Sequence, residues 1–335
     1  MITLKIHRVD NVDWGRYHSP WFKKFANFLS RYFHIEWIDY SVNSASSAKA
    51  NLLNEVRHFG NNPPISDVDC IIENTFNKEY VVLSFTEFFN SYVVHQISSP
   101  LCKSVLLAHF NYHSLFQWLK KDNLLDKLEI IKPWFFGSFQ EYDINKYRKI
   151  RCNDSHKDGL FWKGLGIGNF PGHEIYRETI NHIGYDIIQP NYIFNFQEYM
   201  SELCIHNIAL SFYIDLNKKH DAFNYPGEYC YRDMEYCSVG LPFIRIEYKD
   251  CLYNGLIANK HYISIDRENA YEVFNKEGNQ GVGKLIRSKY FEYVNETELL
   301  NYISNNQIQW FDEYARWPNS AKLTLQLSGI EQWIS

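Results

Sequence analysis

The sequence predicts an α/β protein with two Rossmann-like, doubly wound domains that face a cleft. Its 335 residues suffice for two separate cores, and its 45% hydrophobic and 22% charged residues are typical of an ordered globular chain. Short apolar runs of strand length alternate with helix-like segments in both halves of the chain. This alternation favours parallel sheets that helices cover on both faces.

The first half is predicted to form a parallel sheet. Its apolar runs are Ile2–Val9, His34–Tyr40, Val68–Glu73, Tyr80–Phe85, Lys103–Phe110 and Leu128–Phe136. Helix-like segments at Trp21–Tyr32 and Tyr112–Lys121 separate some of these runs. The segment Gln140–Asp158 is polar and charged without apolar periodicity, so it is the predicted linker between domains at 1–150 and 151–335.

The second half repeats the alternation more clearly. Predicted strands are Gly159–Gly164, Tyr185–Gln189, Asn207–Tyr213, Leu241–Tyr248 and His261–Asp266. Predicted helices are Glu174–Ile183, Phe194–Cys204, a helix beginning near Gly227, Leu252–Asn259, and one or two helices in Asn269–Asn301. Ligands of doubly wound sheets bind beyond the carboxyl ends of the strands. We therefore expect the functional site at that edge of the second domain.

Composition and charge exclude several classes of protein. The formal net charge of -5 argues against a general nucleic-acid binder. Seven cysteines at irregular spacing do not form a disulfide framework, and the first residues lack the apolar core of a signal peptide. No apolar run has the length of a membrane span, which leaves peripheral membrane contact open. We expect a cytoplasmic protein.

A glycine-rich turn follows the first predicted strand of the second domain. Gly164, Gly166 and Gly168 have the spacing G-x-G-x-G, whereas the dinucleotide fingerprint G-x-G-x-x-G has its third glycine one residue later. A plain strand-to-helix turn is therefore the main alternative. At the carboxyl edge, however, small residues let a phosphate approach the backbone, and Lys163 would add positive charge. Arg177 in the next helix is either a second phosphate ligand or an ordinary exposed helix charge.

The segment from Asn224 to Tyr248 gives the strongest signal for a ligand site. Turn-forming residues at 224–227 precede a helix on which Arg232 and Glu235 share one face. A helix N-terminus beside a cation and a carboxylate suits a ligand with phosphate and sugar hydroxyls, whereas the alternative is an ion pair that also involves Glu228. The predicted donor-binding residues are Lys163, Gly164, Arg177, Asn224, Gly227, Tyr231, Arg232 and Glu235.

One pair of aspartates has the spacing of a metal motif. Asp67-Val-Asp69 matches the D-x-D pattern that binds a divalent metal in many nucleotide-sugar enzymes. In a parallel sheet this pair would lie at the end where its strand begins, opposite the ligand edge. For that reason we predict no metal site.

Candidates for proton transfer lie in the first half. Asp13 and His18 follow the first predicted strand, and Glu87 follows the strand Tyr80–Phe85. Glu73 and Asn74 end another strand and are weaker candidates. A nucleophilic mechanism has little support, because the sequence contains no G-x-S-x-G motif.

The second half resembles the donor domain of GT-B glycosyltransferases. Three segments carry the resemblance: Leu160-Phe-Trp-Lys-Gly164, the run from Gly227 to Glu235 that leads into Gly240-Leu-Pro242, and Asn259-Lys-His-Tyr-Ile263. They are similar to parts of exostosin-like and capsule-associated O-glycosyltransferases, in which a basic-Gly turn starts the domain and an R-x-x-E helix precedes G-x-P. The first half has no motif that matches.

The resemblance implies a division of roles between the domains. The first would bind the acceptor, the second would bind the nucleotide-sugar donor, and the last helix would pack back on the first domain. Arg232 and Lys163 would neutralise the donor diphosphate, and Glu235 would accept ribose or sugar hydroxyls. Two features depart from the pattern: a lysine stands at 163 where arginine is frequent, and Glu228 and Glu235 are one residue too close for the E-x7-E motif of many retaining enzymes.

The expected function is therefore metal-independent, inverting glycosyl transfer in glycan biosynthesis. A sugar would move from a nucleotide diphosphate, the co-substrate, to a hydroxyl of a glycan or glycoconjugate, with no cofactor. Two alternatives stay open. One is a non-catalytic nucleotide or sugar-phosphate binding protein, and the other is a nucleotide-sugar epimerase of GT-B architecture.

Overall fold

A computed structural model of the chain shows two compact units. It describes residues 1–10, 15–41, 69–84, 96–108, 112–134, 142–153, 156–162, 174–188, 195–211, 231–247 and 255–334. Unit 1 contains the described residues within Met1–Glu141 and Trp317–Ser335. Unit 2 contains those within Tyr142–Ala222 and Cys230–Arg316.

The described residues form α/β elements in both units. The strands are β1 (Thr3–Asp10), β2 (His34–Ser41), β3 (Asp69–Asn74), β4 (Tyr80–Ser84), β5 (Cys102–Leu107), β6 (Ile131–Pro133), β7 (Lys157–Phe161), β8 (His206–Ser211), β9 (Phe243–Glu247) and β10 (Ile263–Asp266). The helices are α1 (Gly15–Leu29), α2 (Tyr112–Lys121), α3 (Ile144–Asn153), α4 (Glu174–Ile183), α5 (Phe196–Cys204), α6 (Tyr231–Val239), α7 (Arg267–Tyr293), α8 (Thr297–Trp310) and α9 (Asn319–Ser328). None of these helices is both long and apolar enough to span a bilayer.

The sheet of unit 1 is mixed, so the prediction of a wholly parallel sheet is wrong. Its strand order is β2-β1-β3-β4-β5-β6, and β3 runs antiparallel to both β1 and β4, whereas the remaining neighbours are parallel. The reason is the short connection between β3 and β4, closed by the Lys78 N–H, which donates to the Asn74 carbonyl at 2.9 Å. Such a tight turn joins antiparallel neighbours only, because a parallel pair needs a long crossover.

Both faces of this sheet are covered. On one face, Val82 and Val105 pack with Leu115 and Leu119 of α2. Aromatic packing dominates the cover around α1, where the Trp21 ring lies 4.8 Å from that of Trp134 in an edge-to-face contact. The apolar runs of the sequence therefore predict the core strands well, because those strands are buried on both sides.

The C-terminal helix α9 belongs to unit 1. Ser104 of β5 donates its hydroxyl proton to the Ser328 carbonyl at 2.8 Å, and the Trp134 indole donates to the Thr324 hydroxyl at 3.1 Å. Ala321, on the same helix, is completely buried. Polar partners and apolar burial together fix this helix on the sheet.

The sheet of unit 2 is parallel and has the order β10-β9-β8-β7. Within the described part of the predicted strand Tyr185–Gln189, residues 185–188, the structure shows one parallel bridge, between Ile188 and Leu160 of β7. Ile188 thus lies on the side of β7 that is opposite β8. The chain therefore adds its strands first on one side of β7 and then on the other. This change of direction in the strand order lies between β7 and β8, which is the place where doubly wound sheets bind ligands.

Helices cover both faces of the parallel sheet. On one face, Ile180 and Ile183 of α4 pack with Val282 and Ile286 of α7. Gly283 lets these helices approach closely, because a Cβ there would lie 2.5 Å from the Cβ of His182. Gly283 of the Gly281-Val-Gly-Lys284 run therefore serves the packing of α7 on α4. On the opposite face lie α5 and α6.

The predicted linker Gln140–Asp158 is wrong over its central part, which forms α3. Periodicity did not reveal this helix because only Tyr147 is buried between residues 142 and 153. Instead, two arginines attach it to neighbouring carbonyl groups. Arg148 donates to the Ser238 carbonyl at 2.7 Å, and Arg151 donates to the Gly240 and His206 carbonyls at 3.0 and 2.6 Å.

Two further element predictions need correction. The described part of Leu252–Asn259 is a turn with a bridge between Ala258 and Tyr262 rather than a helix, because the Ile257 N–H donates to Nδ1 of His261 at 2.8 Å. The predicted strand Leu128–Phe136 begins within a 3-10 helix, Leu125–Ile130, and of its described residues, 128–134, only β6 is a strand. The last predicted segment, Asn269–Asn301, contains α7 and the start of α8.

Candidate functional site

The candidate site lies at the carboxyl edge of the unit 2 sheet. Strands β7, β8 and β9 end at Phe161, Ser211 and Glu247, next to the change of direction between β7 and β8. Helix α6 follows β8 along the chain and packs over this part of the sheet, since the Tyr236 ring lies 6.2 Å from that of Phe161 and 5.6 Å from that of Phe243.

The local sequence explains why α6 ends where it does. The Leu241 N–H donates to the Tyr236 carbonyl at 2.9 Å, and the Gly240 N–H donates to the Cys237 carbonyl at 3.3 Å. Gly240 has a φ of 71°, so these bonds form a Schellman motif, and Pro242 cannot continue the helix. The G-x-P part of the family resemblance is therefore also a general helix-stop signal.

Beneath the first turn of α6 lies a buried ionic cluster that we call the Arg245 cluster: Ser211, Asp233, Arg245 and Glu247. Nη1 of Arg245 donates to Asp233 at 2.8 Å and to the Ser211 hydroxyl at 3.1 Å, while Nη2 donates to Glu247 at 3.3 Å. Arg245 and Glu247 are 1% exposed and Asp233 is fully buried. The two carboxylates offset the arginine charge in a site that water does not reach.

On the side of α6 opposite the Arg245 cluster, Glu235 lies next to two tyrosines, Tyr142 and Tyr199. It is 9% exposed. Burial, and then the charge of Glu235, raise the pKa of both Tyr142 and Tyr199 above the ordinary value for a phenol. The Tyr199 hydroxyl lies close to Glu235 without completing a hydrogen bond.

Hydrogen bonds and rings hold this tyrosine pair in place. The Tyr142 hydroxyl donates to the Ser238 hydroxyl at 2.8 Å, which in turn donates to the Glu235 carbonyl at 2.7 Å. The Tyr199 ring lies 5.5 Å from that of Phe161 at the end of β7. The surroundings of Glu235 are therefore fixed by helices α5 and α6, by Tyr142 just ahead of α3, and by one strand end.

Arg232 is the most accessible of the charged residues on α6. Its side chain is half-buried, whereas Asp233 and Glu235 are buried. Its positive charge lowers the pKa of Tyr199 against the larger effects of burial and Glu235, so the three groups share one region. Such an arrangement can offer a guanidinium to an anion near the start of a helix, where backbone N–H groups also favour negative charge.

The predicted site residues divide into three groups. Arg232 and Glu235 are described with their side chains and lie together on α6. Tyr231, Arg177 and His18 lie on α6, α4 and α1, and only their backbone positions are described. The remaining predicted residues lie outside the described part of the chain: Asp13, Glu87, Lys163, Gly164, Asn224 and Gly227.

Sequence reasoning missed the residues that surround the predicted pair. Arg245 and Glu247 interrupt the apolar run Leu241–Tyr248, and charges inside a buried parallel strand are a signal that was available. Tyr199 and Tyr142 had no comparable signal, because the chain is rich in tyrosine, with 25 of them.

Asp69 does not lie at the edge predicted for it, and Asp67 is outside the described residues. Because β3 is antiparallel to its neighbours, its first residue, Asp69, pairs with Ser84 at the carboxyl end of β4. The same reversal carries Glu73 to the opposite edge, where its carboxylate lies 2.8 Å from Nε2 of His7. Glu73 and Asn74 are therefore poor candidates for a base. Within the described residues, no group of three or more His, Cys, Asp or Glu side chains is arranged to bind a metal ion.

No family model matches the chain, and no curated protein matches it either.

Proposed function

We propose that the protein is a glycosyltransferase of the GT-B class and that the carboxyl edge of unit 2 binds the nucleoside diphosphate of its sugar donor. The observation that carries the proposal is the half-buried Arg232 in the first turn of α6, beside the change of direction in a parallel sheet. A cation at a helix start and at this edge suits a diphosphate.

In the proposed reaction, a hydroxyl oxygen of the acceptor attacks the anomeric carbon of the donor sugar. The bond between that carbon and the diphosphate oxygen breaks, and its electron pair stays on the diphosphate. Arg232 and Lys163 would stabilise this charge, which is why we propose transfer without a metal at the diphosphate. A base takes the hydroxyl proton, and Asp13, His18 and Glu87 remain our candidates for it. Inversion follows from a single displacement.

Binding of nucleoside diphosphates tests the proposal directly. We expect UDP, GDP or a related nucleotide to raise the melting temperature of the wild-type chain, since a ligand that binds only the folded state stabilises it. Arg232→Ala should weaken this affinity by about 10- to 100-fold, the value of lost charge-assisted hydrogen bonds. Isothermal titration calorimetry measures both affinities.

Lys276→Ala is the matched control, because it removes a positive charge from unit 2 at a side chain that is 74% exposed. Its affinity should equal that of the wild type. Equal affinities of Arg232→Ala and the wild type would contradict the proposed site. Slow hydrolysis of the bound nucleotide sugar without an acceptor would support a transferase over a non-catalytic binding protein, and reversible conversion of the free sugar would support an epimerase.

A further inference from the structure

The Arg245 cluster joins three elements at the candidate site. Its guanidinium binds Asp233 in the first turn of α6, Ser211 at the end of β8 and Glu247 at the end of β9, at distances of 2.8, 3.1 and 3.3 Å. Through Arg245, Asp233 on α6 is thus connected to the ends of the neighbouring strands β8 and β9. The cluster therefore fixes the start of α6 relative to the edge of the sheet.

Stability alone does not account for such a cluster. Desolvation of a buried arginine and two carboxylates costs several kcal/mol, and well-packed apolar residues often stabilise the same space equally well. This cluster lies at the carboxyl ends of β8 and β9, the edge at which doubly wound sheets bind their ligands. The position of the cluster thus points to a role in the site.

Arg245 is not itself suited to bind the ligand. It is 1% exposed, and two carboxylates already offset its charge. Arg232, in contrast, is half-buried and directly precedes Asp233 in α6. Successive residues of an α-helix point about 100° apart around its axis, so holding Asp233 inward fixes the rotation of the helix and with it the place of Arg232.

We propose that the Asp233–Arg245 pair is a positioning device that orients Arg232 towards the diphosphate of the ligand. This inference rests on the proposed function, because it assigns Arg232 to a nucleoside diphosphate. The pair acts through Arg232 and does not touch the ligand.

Two buried substitutions in unit 2 separate positioning from stability. Asp233→Ala removes the partner of Arg245 on α6, whereas Tyr290→Phe removes the hydroxyl that accepts from the Gly159 N–H at 2.8 Å, on the other face of the sheet. We expect Asp233→Ala to weaken the affinity for UDP or GDP by on the order of tenfold or more, and Tyr290→Phe to leave it unchanged. Calorimetric titration gives the affinities, and thermal unfolding shows that the compared chains are folded.

The conservative substitution Asp233→Asn should restore the affinity that Asp233→Ala loses. An asparagine keeps the oxygen that accepts from Nη1 of Arg245, so most of the affinity should return. If Asp233→Ala does not fold, Arg245→Lys replaces it, because lysine keeps the charge but loses the fork that reaches Asp233 and Glu247 together.

A double-mutant cycle shows whether the pair acts through Arg232. In an Arg232→Lys background the geometry of the guanidinium is already lost, so Asp233→Ala should cost less affinity than in the wild type. Additive losses would contradict a positioning role.

The outcomes distinguish the two proposals. A wild-type chain that binds no nucleoside diphosphate overturns the proposed function and the inference with it. A wild-type chain that binds, together with equal affinities for Asp233→Ala and Tyr290→Phe, overturns the positioning role and leaves the proposed function standing.

Discussion

His261 illustrates how one buried side chain makes stability depend on pH. Its Nδ1 accepts a hydrogen bond from the Ile257 N–H at 2.8 Å, so the ring is neutral with its proton on Nε2. Its carbonyl accepts from Gln307 at 2.7 Å, which fixes the turn on α8. Burial lowers the pKa of His261 to about 4 from an ordinary value of 6.5.

We predict that unit 2 loses stability as the pH falls from about 6.5 to about 4. The folded state binds fewer protons than the unfolded state in this window, so the contribution of His261 is complete above it and absent below it. The free energy of unfolding should fall by about 3 kcal/mol across this window. Urea unfolding at a series of pH values measures it.

His261→Asn should flatten this pH dependence, because asparagine can accept from the Ile257 N–H and does not titrate. His34→Asn, at an exposed histidine of β2, is the matched control and should keep the slope. A slope that persists in His261→Asn would show that other groups cause it.

At the scale of elements, α3 connects the ends of its neighbours through arginine. Arg151 donates to the Gly240 carbonyl just after α6 and to the Cys204 carbonyl at the end of α5, at 3.0 and 3.4 Å. Arg148 adds a bidentate pair with Asp312 at 2.8 and 3.0 Å. Helix C-termini carry partial negative charge and carbonyls without helical partners, which a guanidinium satisfies.

We predict that Arg151→Met destabilises the protein by about 2 kcal/mol, since several buried carbonyls lose their donor while the apolar stem is kept. Lys149→Met, at an exposed position of the same helix, should change stability little. Chemical unfolding of both variants gives the comparison. An equally small effect of the two substitutions would mean that water replaces Arg151 at no cost.

At the scale of the whole molecule, helix α9 near the end of the chain packs in unit 1, together with the first residues of the chain. We predict that Ala321→Asp undocks α9 from unit 1, because it places a charge at a fully buried position. The cost should exceed about 3 kcal/mol. Hydrogen exchange of backbone amides should then become faster in β5 and β6, because Ser104 of β5 and Trp134, directly after β6, bond to α9.

Lys322→Asp introduces the same residue at the next, exposed position and should leave exchange unchanged. Faster exchange in both variants would indicate a general effect of charge rather than undocking.

Sequence alone predicts the buried strands and most helices of this chain, because hydrophobic periodicity records burial directly. It predicted that Arg232 and Glu235 lie on one helix, and α6 contains both. It could not find α3, whose contacts are polar, or the direction of β3, which depends on a turn. Arg245 and Glu247 gave a signal as charges inside a buried strand, but their partners Ser211 and Asp233 lie in two other segments and meet them only after folding.

The reversal of β3 decides which ends of two strands share an edge. The first residue of β3, Asp69, and the last residue of β4, Ser84, are paired at one edge of the unit 1 sheet, while the turn at 75–79 lies at the other edge. Substitutions at Asp69 and at Ser84 should therefore affect one common surface. Length variation within the turn should leave that surface unchanged.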